Sequence, residues 1–181
     1  TKSFTSQVVI FSLLALLLGR MRYTSAQAGK EVIDALEQLP QQISSILHQN
    51  DHIKKISEKY ANSKSMLFYG RNYNYPVALE GALKMKEISY IHAEGYPSSE
   101  LKHGVIALVD KETPSIFITP QDPLYEKNMN NLHEVKARSG PIVAVANEGD
   151  SEVSRVADDV IFVPKTVDML QTILNMIQLQ L

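Results

Sequence analysis

The sequence predicts an α/β protein, a three-layer α/β/α sandwich with a parallel sheet, preceded by helices. Short apolar runs typical of buried strands recur from residue 65 onward. Longer segments with helical spacing separate these runs, and strands joined through helices pair in parallel through right-handed crossovers. Residues 2–61 carry helical patterns and no strand-like run, so we expect the helices to come first.

The first predicted helix, residues 2–22, is apolar nearly all round, and Thr1 or Ser3 can cap it. A membrane span needs roughly 20 apolar residues, and this run ends early at Gly19 and Arg20. A signal peptide is an alternative, because residues 26–28 resemble a cleavage site, but its arginines would lie on the wrong side of the apolar core. We favour a helix buried inside a larger protein.

The next helices are expected after a polar break at 23–29. Residues 31–48 show helical spacing, with Pro40 forcing a bend or a restart, and a shorter helix covers about 51–61. We therefore divide the chain into a helical segment, 1–50, that leads in from a preceding domain, and an α/β domain, 51–181. The last helix reaches Leu181 without an exit signal, so we expect the polypeptide to continue.

The remaining elements alternate along the α/β domain. Residues 93–104 read as irregular, and 105–109 suit either a strand or a helical turn. Predicted strands cover 65–71, 115–119, 141–146 and 160–163, and predicted helices cover 75–92, 120–138 and 169–181.

Composition excludes several classes of function. The net charge is −2, from 18 Lys and Arg against 20 Asp and Glu, so the chain lacks the basic excess that binds a nucleic-acid backbone. It contains no cysteine, which excludes disulfides and thiolate metal sites and is consistent with a reducing compartment such as the cytoplasm. We expect no nucleic-acid partner and no membrane partner.

The helix at 75–92 carries the most informative charges. Glu80, Lys84 and Glu87 follow at i, i+4 and i+7 and so share one face. A carboxylate beside an ammonium can act as a base next to a carbonyl once water is removed. The alternative is an ordinary solvated face with Glu–Lys pairs, and spacing alone does not exclude it.

Other candidates are weaker. His103 lies in the irregular stretch, where a histidine suits proton transfer or simply faces solvent. The pairs His92–Glu94 and Glu100–His103 resemble metal ligands, but no second set accompanies them, and we expect no metal. The turn Gly70-Arg71-Asn72 precedes a helix and resembles an anion-binding turn.

Two segments resemble the isomerase portion of the glutamine–fructose-6-phosphate aminotransferase family. One is 78–94, ALEGALKMKEISYIHAE, continued by ELKHG at 100–104; the other is TKSFTSQ at 1–7. The resemblance extends over essentially the whole chain. It implies the second of two sugar isomerase (SIS) domains, working with a first SIS domain and a glutaminase domain as a homodimer.

The resemblance also implies roles for particular residues. Glu87 would be the base that moves a proton between two sugar carbons while fructose-6-phosphate becomes glucosamine-6-phosphate. Lys84 would stabilise the developing charge, and His103 would assist ring opening in the neighbouring subunit's site. No metal or organic cofactor is implied.

The chain lacks other parts of the family pattern. The phosphate-binding Ser/Thr loops, the lysine that forms a Schiff base and the glutaminase cysteine have no counterpart here, so we expect the isolated chain to be inactive. Two alternatives remain open: a free-standing SIS module that binds a phosphosugar, for which Thr119, Ser151 and Ser154 are the candidate hydroxyls, and a related sugar-phosphate isomerase or deglycase.

Overall fold

The computed structural model describes residues 2–181, so the predicted cap at Thr1 lies outside the described residues. Two short 3-10 helices, Ser98–Glu100 and Val105–Leu108, interrupt the connection between the second and third strands. The strands are β1 (Ser65–Gly70), β2 (His92–Pro97), β3 (Ser115–Thr119), β4 (Ile142–Asn147) and β5 (Asp159–Val163). The helices are α1 (Lys2–Arg20), α2 (Ala26–Leu47), α3 (Asn50–Tyr60), α4 (Asn74–Ser89), α5 (Tyr125–Ala137), α6 (Val153–Val156) and α7 (Asp168–Gln178).

The five strands form one parallel sheet in the order β2-β1-β3-β4-β5. The register pairs Ser65 with His92 and Gly70 with Pro97, so β1 and β2 end together. The strand order reverses between β1 and β3, because the chain first moves outward to β2 and then crosses back. The predicted α/β class with a parallel sheet is confirmed.

Both faces of the sheet are covered, which makes three layers. Alternate residues of β1 point to opposite faces: Met66 and Phe68 join the core under α2, α3, α4 and α7, whereas Leu67 and Tyr69 join the core under α5 and α6. We call these the first face and the second face. Because the inner strands β1, β3 and β4 are buried on both sides, their sequences are mostly continuous apolar runs rather than alternating ones.

The helical segment starts differently from the prediction. α2 begins at Ala26 rather than Glu31, because the Ser25 side chain accepts a hydrogen bond from the Ala28 N–H and caps the helix. Pro40 lies inside this helix, which neither stops nor restarts there. Leu39 and Ile46 of α2 are buried in the first-face core, so packing offsets the hydrogen bond that a proline removes.

The strand β2 was not predicted. The helix before it ends at Ser89 rather than residue 92, with Tyr90 in the left-handed conformation as its C-cap. β2 then occupies His92–Pro97, which the sequence indicated as helix end and irregular chain. As an edge strand it pairs with β1 alone, so it tolerates polar residues, a glycine and a terminal proline.

Smaller corrections affect the other elements. Of the two structures left open for residues 105–109, the helical turn forms, at 105–108. Helix α5 starts at Tyr125 instead of 120, after a turn in which Asp122 accepts the Leu124 N–H. The short helix α6 was not predicted. The strand 115–119 has its predicted bounds.

Helix α1 packs on the first face through one side only. Phe4, Val8 and Val9 contact the core, whereas a row of large apolar residues is exposed. By length and composition this helix can cross a membrane, a property shared by signal sequences and by buried core helices. The exposed residues are Ile10, Phe11, Leu13, Leu14, Leu17, Leu18 and Met21.

Candidate functional site

Helix α4 presents the candidate residues and lies unusually close to the sheet. A Cβ on Gly95 of β2 would come within 2.8 Å of the Leu79 Cα, so only glycine allows this approach. Gly81 likewise faces the Phe68 ring, where a Cβ would lie 3.1 Å away. The small residues Ala78, Gly81 and Ala82 of this helix are therefore buried against the sheet.

Lys84 lies between two carboxylates on this outer side. Its ammonium hydrogen-bonds the Glu87 carboxylate and lies 3.9 Å from Glu80 Oε1. The hydrogen bond to Glu87 raises the pKa of Lys84, and the charges of Glu87 and Glu80 add to it. The raised pKa keeps Lys84 protonated at neutral pH, so a positive charge lies beside the Glu87 carboxylate.

The surroundings of the two residues differ. The side chain of Lys84 is 17% exposed and lines an apolar groove of about 370 Å³ with Met85 and Ile88. The Glu87 side chain is 53% exposed and is not among the groove's lining residues. In this chain alone, therefore, Glu87 does not point into an enclosed pocket.

His103 lies in the turn that follows β2 and the first 3-10 helix. Its ring Nδ1 lies 2.7 Å from Glu100 Oε2, and its side chain is 71% exposed. The contact with Glu100 uses Nδ1, and no contact is recorded for Nε2 among the described residues.

The structure brings Lys84 and Glu87 together but does not bring His103 to them. α4 belongs to the first face, where Val77, Ala78 and Ala82 enter the core. The segment with His103 belongs to the second face, where its neighbour Leu101 is fully buried. The sheet itself separates the two candidate groups of one chain.

The turn Gly70-Arg71-Asn72 does not fit the predicted anion site. The N–H groups of Asn74 and Tyr75 already donate to the carbonyls of Arg71 and Asn72. The Arg71 guanidinium donates to neutral side chains of Ser98 and Asn131. These donors are used inside the protein rather than offered to a phosphate.

A small cavity of about 80 Å³ lies at the carboxyl edge of the sheet, beside this turn. Asp122 and Lys165 are among its lining residues. Burial raises the pKa of Asp122, which the charge of Asp168 raises further, although the Leu124 N–H and the charge of Arg71 act in the opposite sense. With two acids and one lysine around it, this cavity does not select an anion.

Possible metal ligands are dispersed. Within residues 2–181 no group of three His, Asp or Glu side chains could hold an ion. His92 Nε2 lies 3.8 Å from Glu94 Oε1 on β2, and the Glu100–His103 pair lies on the other face of the sheet.

Sequence reasoning missed one polar cluster. Arg71, Ser98, Asn128 and Asn131 join the end of β1, the turn after β2 and helix α5 through hydrogen bonds between side chains. The sequence contained one sign of this cluster, because polar residues occupy positions of the helix 125–137 where the helical pattern calls for apolar ones. Without the unpredicted β2, nothing placed Ser98 beside Arg71.

Comparison with known proteins gives consistent relatives. The SIS domain family profile matches residues 59–181. The chain is 46% identical over 181 residues to a glutamine–fructose-6-phosphate aminotransferase (isomerizing) of Chlorobaculum tepidum, and 46% identical over 182 residues to that of Methanosarcina acetivorans. Both matches cover 100% of this chain, but 30% and 29% of the relatives, so the chain spans about a third of their length.

A solved structure is similar over almost the whole chain. It is the C-terminal domain of glucosamine-fructose-6-phosphate aminotransferase from Francisella tularensis, with a TM-score of 0.93 and 36% identity. The match covers 99% of this chain and 51% of that chain. The family resemblance predicted from the segments 78–94 and 100–104 is confirmed.

Proposed function

This chain belongs to the SIS domain family, and we propose that it is the second SIS domain of a glutamine–fructose-6-phosphate aminotransferase. The similarity to such enzymes over its full length supports this role. The observation that carries the mechanism is the contact between the Lys84 ammonium and the Glu87 carboxylate. Residues 1–50 lead in from a first SIS domain, and 51–181 form the second.

The reaction converts fructose-6-phosphate, with ammonia released from glutamine, into glucosamine-6-phosphate. Glu87 takes a proton from one sugar carbon and returns it to the neighbouring carbon, so that the ketose skeleton becomes an aldose. Lys84, held beside it, stabilises the negative charge that develops between these two proton transfers. His103 moves a proton at the ring oxygen when the sugar ring opens.

The complete site takes groups from two copies of the chain. Because the sheet separates Glu87 from His103 within one chain, a site that uses both needs His103 from a second copy. A homodimer, together with the first SIS domain, also covers the exposed apolar side of α1. The glutaminase domain completes the list of partners.

The chain by itself does not complete a catalytic cycle. In our proposal the groups that bind the phosphate and form the Schiff base lie elsewhere in the enzyme. The enzyme acts in the cytoplasm without a metal or organic cofactor, since general acid–base groups suffice for isomerisation.

The test uses the full-length enzyme that carries this chain. Glu87→Gln should abolish exchange of the sugar's transferred proton with solvent, while glutamine hydrolysis stays measurable. Glu94→Gln is the matched control, because Glu94 also pairs with a lysine, Lys86 at 3.5 Å, and is comparably exposed. Proton exchange at the wild-type rate in Glu87→Gln would remove Glu87 from the mechanism.

A further inference from the structure

We propose that Arg71 is a positioning residue that holds the turn carrying His103. The proposal rests on the proposed function of His103 and gives Arg71 a role other than the anion binding predicted for its turn. It starts from the sheet register: Gly70 and Pro97 form the last pair between β1 and β2. The next residue of each strand, Arg71 and Ser98, therefore leave the sheet side by side.

One planar guanidinium joins this turn to helix α5. Arg71 Nε donates to Ser98 Oγ at 3.2 Å, and Arg71 Nη2 donates to Asn131 Oδ1 at 3.0 Å. The Ser98 hydroxyl in turn donates to Asn128 Oδ1 at 2.7 Å. Ser98, Asn128 and Asn131 are all buried, so each unpaired group would cost free energy. Loss of the guanidinium would remove a donor from the Ser98 hydroxyl and from the Asn131 carbonyl oxygen, in a cluster where Asn128 Nδ2 already has no partner among the described residues.

The same cluster extends to the neighbour of His103. Asn131 Nδ2 donates to Glu134 Oε2 at 3.4 Å, and Glu134 pairs with Lys102 at 2.7 Å. Between these two anchors Leu101 is fully buried in the second-face core. The turn is held by the buried residues Ser98 and Leu101, and the exposed Lys102 adds an ion pair.

His103 follows these anchored residues directly, and its side chain is exposed. Its N–H donates to the Glu100 carbonyl at 2.9 Å, which closes the turn, and its ring stays exposed. A histidine that serves a second copy must project at a defined angle, because small errors of placement reduce rates strongly. Arg71 supplies that angle from beneath the turn without touching the sugar.

Arginine suits this role and lysine does not. The two bonds leave from different nitrogens of one rigid plane and reach two different elements. A lysine keeps the charge but reaches a single acceptor well. Arg71→Lys should therefore give an effect between those of wild type and Arg71→Met.

The first test measures the turn directly in the 181-residue chain. Hydrogen–deuterium exchange should accelerate by about tenfold or more at the amides of 98–104 in Arg71→Met. Exchange in β3 and β4 should stay close to wild type. Arg155→Met, which removes an exposed arginine of α6, should change neither region. Unchanged exchange at 98–104 would overturn the proposal.

The second test uses the full-length enzyme. Arg71→Met should lower kcat for isomerisation by about tenfold or more, with a small change in the KM for fructose-6-phosphate and glutamine hydrolysis retained. If Arg71→Met does not fold, Arg71→Lys takes its place in every measurement. A full kcat in a folded variant would overturn the proposal.

Mixed dimers separate positioning of His103 from general damage. A dimer of one Arg71→Met subunit and one Glu87→Gln subunit should regain activity. One of its two sites then has an intact Glu87 and an intact His103 turn. A dimer of one Arg71→Met subunit and one His103→Ala subunit should regain none, because each of its sites then has a defective His103. The reverse pattern would overturn the role of Arg71.

The outcome also distinguishes this inference from the proposed function. Full activity of Glu87→Gln and His103→Ala on their own would contradict the proposed function. Hydrogen–deuterium exchange would still show whether Arg71 anchors the turn, since that measurement needs no activity.

Discussion

Glu87 and His103 lie on opposite faces of one sheet, although only β2 and one 3-10 helix separate α4 from His103 in the chain. Glu87 belongs to α4 on the first face, and the turn with His103 covers the second face. We therefore propose that a site containing both groups takes them from different copies of the chain, and mixed dimers test this arrangement.

Inactive subunits should complement each other. In a dimer of one Glu87→Gln and one His103→Ala subunit, one site carries both substitutions and the other carries neither. Random mixing in equal amounts should restore about a quarter of wild-type activity, because half of the dimers are mixed and half of their sites are intact. The measurement is the rate of glucosamine-6-phosphate formation after the two variants are unfolded and refolded together.

A double variant provides the control for complementation. Glu87→Gln with His103→Ala in one chain, mixed with wild type, leaves each mixed dimer with two sites that each carry one defect. Such a mixture should show only the activity of its wild-type dimers. With equal amounts, a shared site therefore predicts about a quarter of wild-type activity in both mixtures. About half of wild-type activity in this mixture, with none in the first, would contradict a shared site.

Lys84→Met should lower kcat more than it raises KM. The substitution removes the ammonium that contacts the Glu87 carboxylate and lies 3.9 Å from Glu80. Loss of one electrostatic group that faces developing charge costs about 100-fold in kcat. Steady-state kinetics on the full-length enzyme provide the measurement.

Lys86→Met is the matched control for Lys84→Met. Lys86 lies on the same helix and pairs with Glu94, but its side chain is 42% exposed. Its loss should leave kcat within about twofold, as expected for an exposed pair. Equal losses in the two variants would indicate a general effect on α4.

Gly95→Ala should destabilise the domain by about 1–3 kcal/mol. The new Cβ would lie 2.8 Å from the Leu79 Cα and 2.9 Å from the Leu79 N, and backbone atoms cannot move aside as a side-chain tip can. Helix α4 must then lift from β2. Urea unfolding followed by circular dichroism measures the change.

Gly29→Ala is the contrasting case. A Cβ there meets Arg20 Cδ at 2.6 Å, the flexible side chain of an exposed residue that can turn away. Alanine also favours helix over glycine by up to about 1 kcal/mol. We therefore expect Gly29→Ala to be neutral or stabilising, and destabilisation as large as that of Gly95→Ala would contradict this account.

Protonation of the Asp158 carboxylate should lower the free energy of unfolding at acid pH. Burial by itself would raise its pKa, but hydrogen bonds from the Lys136 ammonium and the Ile142 N–H outweigh burial and lower the pKa below 3.8. A lowered pKa stabilises the folded state above about pH 3.8. That stabilisation is lost as the pH falls further, through the folded-state pKa.

Asp158→Ala isolates this contribution. It leaves the Ile142 N–H without its acceptor, so unfolding free energy at pH 6 should fall by about 1–3 kcal/mol. The difference in unfolding free energy between wild type and Asp158→Ala should narrow below about pH 3.8. Asp34→Ala, which breaks the exposed Lys30–Asp34 pair, should cost less than about 1 kcal/mol. A gap that widens in acid would contradict the assignment.

Local patterns were sufficient for most of the sheet and for the charged face of α4. The strand 115–119 and the grouping of Lys84 with Glu87 follow from side-chain periodicity, which a parallel sheet and a helix each impose. Edge strand β2 could not be predicted from local patterns, because its residues are polar and only pairing with β1 holds it extended. The cluster around Arg71 depends on that pairing and was missed for the same reason.

The sequence by itself determined the α/β class, the family resemblance and the candidates Lys84, Glu87 and His103, since each depends on residues close together in the chain. Only the tertiary structure decided which candidates meet. It placed Glu87 and His103 on opposite faces and joined Arg71 to Ser98. Those relations depend on strand order and register, which arise from contacts between distant segments that local periodicity does not encode.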